Sequence, residues 1–157
     1  MIQRIQSLYL LISMILLGVV TFGTPLFYYN KGVQFFKIDA YGLSEFNQAE
    51  KIIAFKSYPL YFSFIALIIL CFLTLMAYKK INQQLRLMRM TFFVYLIAVI
   101  GLSVFSMMDD QWLFSGDSTS SKAIGYYVFV SGLPFCYLAQ IGIKRDKNLL
   151  DSLNRLR

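Results

Sequence analysis

Four stretches of the sequence contain no charged side chain, and each is long enough to cross a lipid bilayer. The hydrocarbon core of a bilayer is about 30 Å thick and takes about 20 helical residues to cross. Lipid cannot hydrogen-bond to backbone groups, so spanning segments are helices or closed barrels, and these runs lack the alternation of barrel strands. The pattern predicts an all-α membrane protein, a four-helix bundle whose transmembrane helices lie at about residues 7–29, 58–78, 91–108 and 123–143.

Composition supports the same class. The chain has 157 residues, of which 58% are hydrophobic and 15% charged, and its mean hydropathy is +0.60. Soluble domains carry about 25% charged residues. The net charge of +7 comes from basic residues placed between apolar runs, so we expect anionic lipid headgroups as partners and not nucleic acid. One transmembrane domain, residues 1–157, accounts for the whole length.

The opening stretch, "MIQRIQSLYLLISMILLGVV", resembles either a cleaved signal or a permanent span. A signal peptide has an apolar region of about 7–15 residues followed by a small-x-small cleavage site. Here the apolar run continues through "TFGTPLFYY", and Thr21-Phe22-Gly23 imitates such a site poorly. We therefore predict a retained first span.

The distribution of Lys and Arg predicts the orientation. Ten basic and two acidic residues fall on the side of the membrane that holds the N-terminus, whereas the other side holds five basic and six acidic residues. Cytoplasmic loops are enriched in Lys and Arg. Both termini are therefore predicted to be cytoplasmic.

The longest connection, residues 30–57, is predicted to lie on the outer side of the membrane. Its first part has β-type content over 33–38 and a turn near 39–42, which predicts a short strand or hairpin. Ser44 is a plausible helix N-cap, and Phe46, Ala49 and Ile53 follow at helical spacing. The second part is therefore predicted to be a helix lying on the membrane surface.

The C-terminal tail, residues 144–157, is predicted to form a short amphipathic helix on the inner leaflet or against a partner. Its leucines share one side, and basic residues flank them. The candidate residues for contact with a protein partner or with lipid are Leu149, Leu150, Leu153, Leu156, Lys144 and Arg145.

Few residues of the chain suggest chemistry. There is no histidine, which excludes His-based acid–base catalysis and His metal ligation. Cys71 and Cys136 lie at similar depth in two spans; we predict buried structural thiols, with a redox pair as the alternative. Asp109 and Asp110 are interpreted as the solvated end of the third span, although paired carboxylates can also hold a cation or share a proton. We predict no catalytic residue, no cofactor and no metal site.

Three parts of the sequence resemble a known family: the start "MIQRIQSLYLLIS", the outer loop after "PLFYY" and the basic link "YKKINQQLRLMR". With the four-span plan, they are similar to the uncharacterised Bacteroidota membrane family labelled Domain of Unknown Function four-two-nine-three. The resemblance covers nearly the whole chain. It implies a bacterial inner-membrane protein with four helices, and it implies no activity and no site residue.

Two functional hypotheses follow. In the first, the chain is a small non-catalytic accessory or structural subunit, bound to a larger inner-membrane protein or to copies of itself. In the second, it is a lipid- or quinone-binding protein, enzyme or carrier, with an apolar cavity between its helices. The lack of charged side chains within the spans favours the first hypothesis, because transport and proton pathways generally need ionisable groups there.

Overall fold

Four α-helices and five β-strands make up the part of the chain that the computed structural model describes, residues 3–31, 34–46, 52–112 and 119–155. The helices are α1 (Gln3–Thr21), α2 (Tyr61–Met76), α3 (Ile81–Trp112) and α4 (Ile124–Arg155), with a 3₁₀ turn at Ala77–Lys79 between α2 and α3. The strands are β1 (Phe27–Lys31), β2 (Gln34–Ile38), β3 (Gly42–Phe46), β4 (Ile52–Ser57) and β5 (Thr119–Lys122).

Each helix buries one stripe of side chains at alternating spacings of three and four residues. This spacing is the heptad pattern that lets helices pack side by side at a small crossing angle. Helix α1 packs against α2 and α4, and α3 packs against the same two neighbours. We call the buried stripes the seams; that of α1 is Gln6, Leu10, Ser13, Leu17 and Val20, and that of α4 is Gly125, Phe129, Gly132, Cys136, Ala139, Ile143 and Asp146.

The outward faces of the helices are apolar. Three helical segments are long and apolar enough to cross a membrane, Tyr61–Lys79, Ile81–Met107 and Ile124–Ser152, and Ile5–Thr21 is a shorter apolar helix. Large hydrophobic side chains stand exposed along all four helices. Such faces are typical of helices that meet lipid rather than water. The helices are those of a membrane protein.

The first helix ends earlier than predicted. Helix α1 stops at Thr21 instead of residue 29, and residues 27–31 form strand β1. Gly23 adopts a φ of +92°, which favours glycine and terminates the helix. Pro25 follows and disfavours helical geometry for the residue before it, and the aromatic sequence "FYYNK" then suits a strand.

The predicted surface helix after Ser44 is wrong, because these residues form strands. Ser44 lies in β3, and β4 pairs with β3 through Leu43 opposite Lys56 and Glu45 opposite Ala54. The β-branched and aromatic content of "IIAFKS" suits this pairing. Ala49 falls outside the described residues. The strand order is β4-β3-β2-β1-β5, and every pairing is antiparallel.

The sheet covers one end of the helices. Its inner face buries Phe27, Tyr29 and Ile38, and the Phe27 ring lies 5.5 Å from the ring of Tyr126 on α4. Strand β5, between α3 and α4, pairs with β1, which follows α1. The ends of α1 and α3 and the starts of α2 and α4 therefore meet at the sheet, and the start of α1 and the end of α4 share the opposite end.

The tail does not form a separate helix, which corrects the prediction for residues 144–157. Helix α4 runs without interruption from Ile124 to Arg155, with Pro134 inside it, and α3 begins at Ile81, well before the predicted span. Each has 32 residues, which at about 1.5 Å per residue gives about 48 Å. Both helices are therefore longer than the hydrocarbon core. The predicted bounds were too short because charged residues are unfavourable in lipid but do not end a helix.

Close packing at Gly132 predicts a strong effect of a single methyl group. A Cβ at Gly132 would collide with the Tyr95 hydroxyl, whereas a Cβ at Gly101 has no heavy atom within 4 Å. We expect Gly132→Ala to lower the free energy of unfolding in detergent by about 1–3 kcal/mol, and Gly101→Ala to leave it unchanged or to raise it through helix propensity. Equal effects of the two substitutions would contradict this packing.

Candidate functional site

A cluster of polar side chains lies at mid-depth between the helices, with one residue from each. It consists of Ser13 on α1, Cys71 on α2, Tyr95 on α3 and Cys136 on α4, and all four are fully buried. The Cys71 thiol interacts with the Cys136 thiol and with the Ser13 hydroxyl. The hydroxyls donate to the carbonyls of α4: Tyr95 to Phe129 at 2.7 Å and Ser13 to Gly132 at 3.3 Å. We call this the central cluster.

The surroundings of the central cluster favour a structural role. Both cysteines are free and buried, as predicted. A reactive thiol needs partial exposure, and both thiols of this cluster are fully buried. Within the described residues, no group of three or more Cys, Asp or Glu side chains is placed to hold a metal ion. The cluster satisfies its own hydrogen bonds and ties all four helices together.

A second polar contact joins α1 and α4 at the end opposite the sheet. The Gln6 side-chain amide donates to Asp146 Oδ2, and the two residues are 4% and 7% exposed. Gly142 makes room for this contact, since a Cβ there would lie 2.6 Å from Gln6 Cγ. Gln84, in the first turn of α3, is buried at the same end. A buried carboxylate beside a membrane segment is a candidate functional group.

Two buried oxygens have no hydrogen-bond partner within the described structure, Asp146 Oδ1 and Gln140 Oε1. A buried acceptor without a donor costs about 1–3 kcal/mol, so Asp146 retains an unused capacity to accept a hydrogen bond. The charge pattern of the sequence does not single out Asp146, which is one of the two acidic residues on the side of the N-terminus. The three-and-four spacing from Gly132 through Cys136, Ala139 and Ile143 would have placed it in the seam.

The predicted contact residues of the tail lie on the last part of α4. Leu149 and Leu150 are 46% and 44% exposed, and Lys144 and Arg145 are exposed. The side chains of Leu153, Asp109 and Asp110 fall outside the described part of the structure, as does Leu156. The structure thus places five of the six predicted residues on one helix, and the four with described side chains line no pocket in the described part of the chain.

An apolar crevice opens between α2 and α3 in the half nearer the sheet. Its volume is about 260 Å³, and Gly101 on its wall faces open space. The lining residues are Leu60, Ser63, Phe64, Ala98, Gly101, Leu102, Phe105 and Phe129. Seven of these eight side chains lack a polar group, so the crevice suits a hydrocarbon chain rather than a polar ligand.

The sequence of nearly the whole chain matches the model of one protein family. The family model described as Domain of unknown function (DUF4293) matches residues 2–156. The chain belongs to this family. The match includes all four helices and all five strands, which confirms the resemblance drawn from the sequence. No curated protein sequence matches the chain.

The Gln6–Asp146 contact should appear as coupling between two substitutions. Asp146→Ala and Gln6→Ala should each lower the free energy of unfolding, because each leaves a buried polar partner unsatisfied at a cost of about 1–3 kcal/mol. The double variant should lose less than the sum, by about 0.6–1.7 kcal/mol. Asp151→Ala, at an exposed carboxylate of the same helix, is the matched control and should change stability by under about 0.5 kcal/mol. Strict additivity would show that the contact contributes nothing.

Proposed function

We propose that the chain crosses a bacterial inner membrane four times, with both termini in the cytoplasm, and serves there as a non-catalytic accessory subunit. The apolar outer face of α1 supports the fourth crossing. Leu8, Leu11, Ile15 and Val19 are exposed on that face, where lipid would cover them. The 19 residues of α1 extend about 28 Å, close to the thickness of the hydrocarbon core.

Charge at the two ends of the molecule supports the orientation. The helix ends that lie opposite the sheet carry a group of basic residues, which fits the positive-inside rule. The basic residues at this end are Lys79, Lys80, Arg86, Arg89, Lys144, Arg145 and Lys147. The five-stranded sheet would then lie on the outer surface of the membrane.

Alkaline phosphatase fusions test the orientation. The enzyme folds to an active form outside the cytoplasm, so fusions after Lys31 or Ser118 should be active and fusions after Gln83 or Arg157 inactive. Fusion abundance, measured by immunoblotting, is the control. The inverse pattern of activity would refute the orientation and place the sheet in the cytoplasm.

The accessory role is based on one observation, that the seam of α4 continues beyond the helices that cover it. The seam is buried from Gly125 to Asp146, and its next position, Leu150, is 44% exposed. Leu150 is therefore the first seam position of α4 that is not buried within the described residues. Leu153 is the following seam position. Burying a leucine fully contributes about 1.5–3 kcal/mol, which a partner helix would gain here.

The geometry indicates the chemistry of that partner. Since the seam of α4 keeps its spacing of three and four residues as far as Leu150, a second helix could extend the existing heptad packing onto that residue. Asp146 stands one turn earlier with an unused acceptor oxygen. A partner with an apolar helix and one hydrogen-bond donor would satisfy both positions. A larger membrane protein and a second copy of this chain both remain candidates for that helix.

Replacing the tail leucines tests the accessory role. Changing Leu149, Leu150, Leu153 and Leu156 to Ser should release a co-purifying protein after mild detergent extraction, since the packing would be lost while the apolar spans stay inserted. Reversing Lys144 and Arg145 to Glu is the control and should release less. Truncation after Asn148 keeps the Gln6–Asp146 contact and should act like the leucine variant. If the recovered proteins are the same in all variants, the tail is not the contact surface.

The crevice between α2 and α3 favours a second candidate function, the binding of a lipid or quinone chain. Its apolar lining and the open space at Gly101 support this alternative. The same purification separates the two functions. A stoichiometric protein partner supports the accessory role, whereas a bound lipid or quinone without a protein partner supports the alternative.

A further inference from the structure

A groove on the outer face of α3 combines two arginines with apolar side chains. It has a volume of about 450 Å³ and is lined by Arg86, Arg89, Met90, Phe93 and Val94. Residues three, four and seven positions apart share one face of a helix. The two guanidinium groups therefore lie side by side, next to the first apolar residues of the span.

Within the described structure, neither arginine forms an ion pair with an acidic side chain. The ion pair found there joins Lys37 and Asp39. Both are exposed, and both stand at the end of the molecule that carries the other basic residues. A guanidinium group presents a planar set of donors that matches the oxygens of a phosphate. Two guanidinium groups about one helical turn apart provide charge and directed hydrogen bonds for one phosphodiester.

The apolar part of the groove continues along the same face of α3. Met90, Phe93, Ile97 and Ile100 follow one another at alternating spacings of three and four, and each is more than half exposed. The ten helical rises from Met90 to Ile100 extend about 15 Å, which is half of the hydrocarbon core and the depth of one leaflet. The stripe therefore has the length of one acyl chain, and it begins where the arginines end.

We propose that this groove is a binding site for one anionic phospholipid of the inner leaflet. Its phosphate lies between Arg86 and Arg89, and one acyl chain lies along Met90, Phe93 and Ile97. This inference depends on the proposed insertion and orientation. It is independent of the accessory role and of the apolar crevice, which different residues of α3 line. Its charge and its apolar stripe together select a lipid over a soluble anion.

Titration of palmitoyl-oleoyl-phosphatidylglycerol into the detergent-purified full chain, followed by native mass spectrometry, tests the site. A basic residue near a membrane surface contributes about 1 kcal/mol to the binding of anionic lipid, so Arg86→Gln/Arg89→Gln should weaken binding about 30-fold. Lys79→Gln/Lys80→Gln removes the same charge from exposed positions at the same end, outside the groove, and should weaken it less than about threefold. Arg86→Lys/Arg89→Lys keeps the charge but loses the planar donor set, so it should weaken binding by less than the Gln pair does.

Three results would overturn the proposal. Equal weakening by the two Gln pairs would indicate general attraction between charges, and no weakening by the Arg86→Gln/Arg89→Gln variant would exclude the groove. Displacement of the lipid by inorganic phosphate at equal concentration would indicate a free-anion site. The acyl-chain contact has its own control: Phe93→Ser should weaken lipid binding, whereas Phe62→Ser, at an equally exposed phenylalanine of α2, should not. The alkaline phosphatase fusions remain interpretable whatever the lipid titration shows, so failure of the site and failure of the orientation are separable.

Discussion

Three glycines of α4 allow other parts of the chain to approach its backbone more closely than any side chain would permit. Gly125 lies against the Pro25 carbonyl, Gly132 against Tyr95 and Gly142 against Gln6. In lipid, helix association depends on close packing and on hydrogen bonds between helices, because burial from water no longer distinguishes one apolar surface from another. The hydrogen bonds of Tyr95 and Gln6 form because these glycines admit them. The register of the four helices depends on this one face of α4.

The seams show how polar groups contribute in such a setting. Every polar side chain of the central cluster and of the Gln6–Asp146 contact occupies a heptad core position, where a water-soluble protein would place an apolar residue. Each hydrogen bond is specific in direction, so it fixes one register among several that apolar packing alone would allow. Asp146 extends this arrangement to the helix ends that lie opposite the sheet. From there the seam of α4 runs on to Leu150, which is 44% exposed.

Charge-free runs identified the apolar helices well, because charge is costly in lipid and the spans show it directly. The helix bounds were less predictable: Lys144 and Arg145 mark a membrane boundary, yet α4 continues through both. The short strand predicted over 33–38 is confirmed as β2, but the rest of the sheet was not predictable, for a different reason. Strand β1 pairs with β5, about 90 residues later in the chain, and no local pattern reports such a pairing. The "IIAFKS" strand was misread because short apolar segments fit helical and β spacing equally.

The continuity of α4 past Ile143 is the claim on which the tail, the Gln6–Asp146 contact and the partner surface all depend. Spin labels at Ile5→Cys and Asn148→Cys, two exposed positions, test this continuity when the distance between them is measured by double electron–electron resonance in nanodiscs. A continuous α4 packed on α1 predicts a narrow distribution near 10–20 Å, about the spacing of neighbouring helices plus the reach of the labels. A tail that leaves α1 and lies on the membrane surface would give a broad distribution at longer distances, and that result would contradict the account.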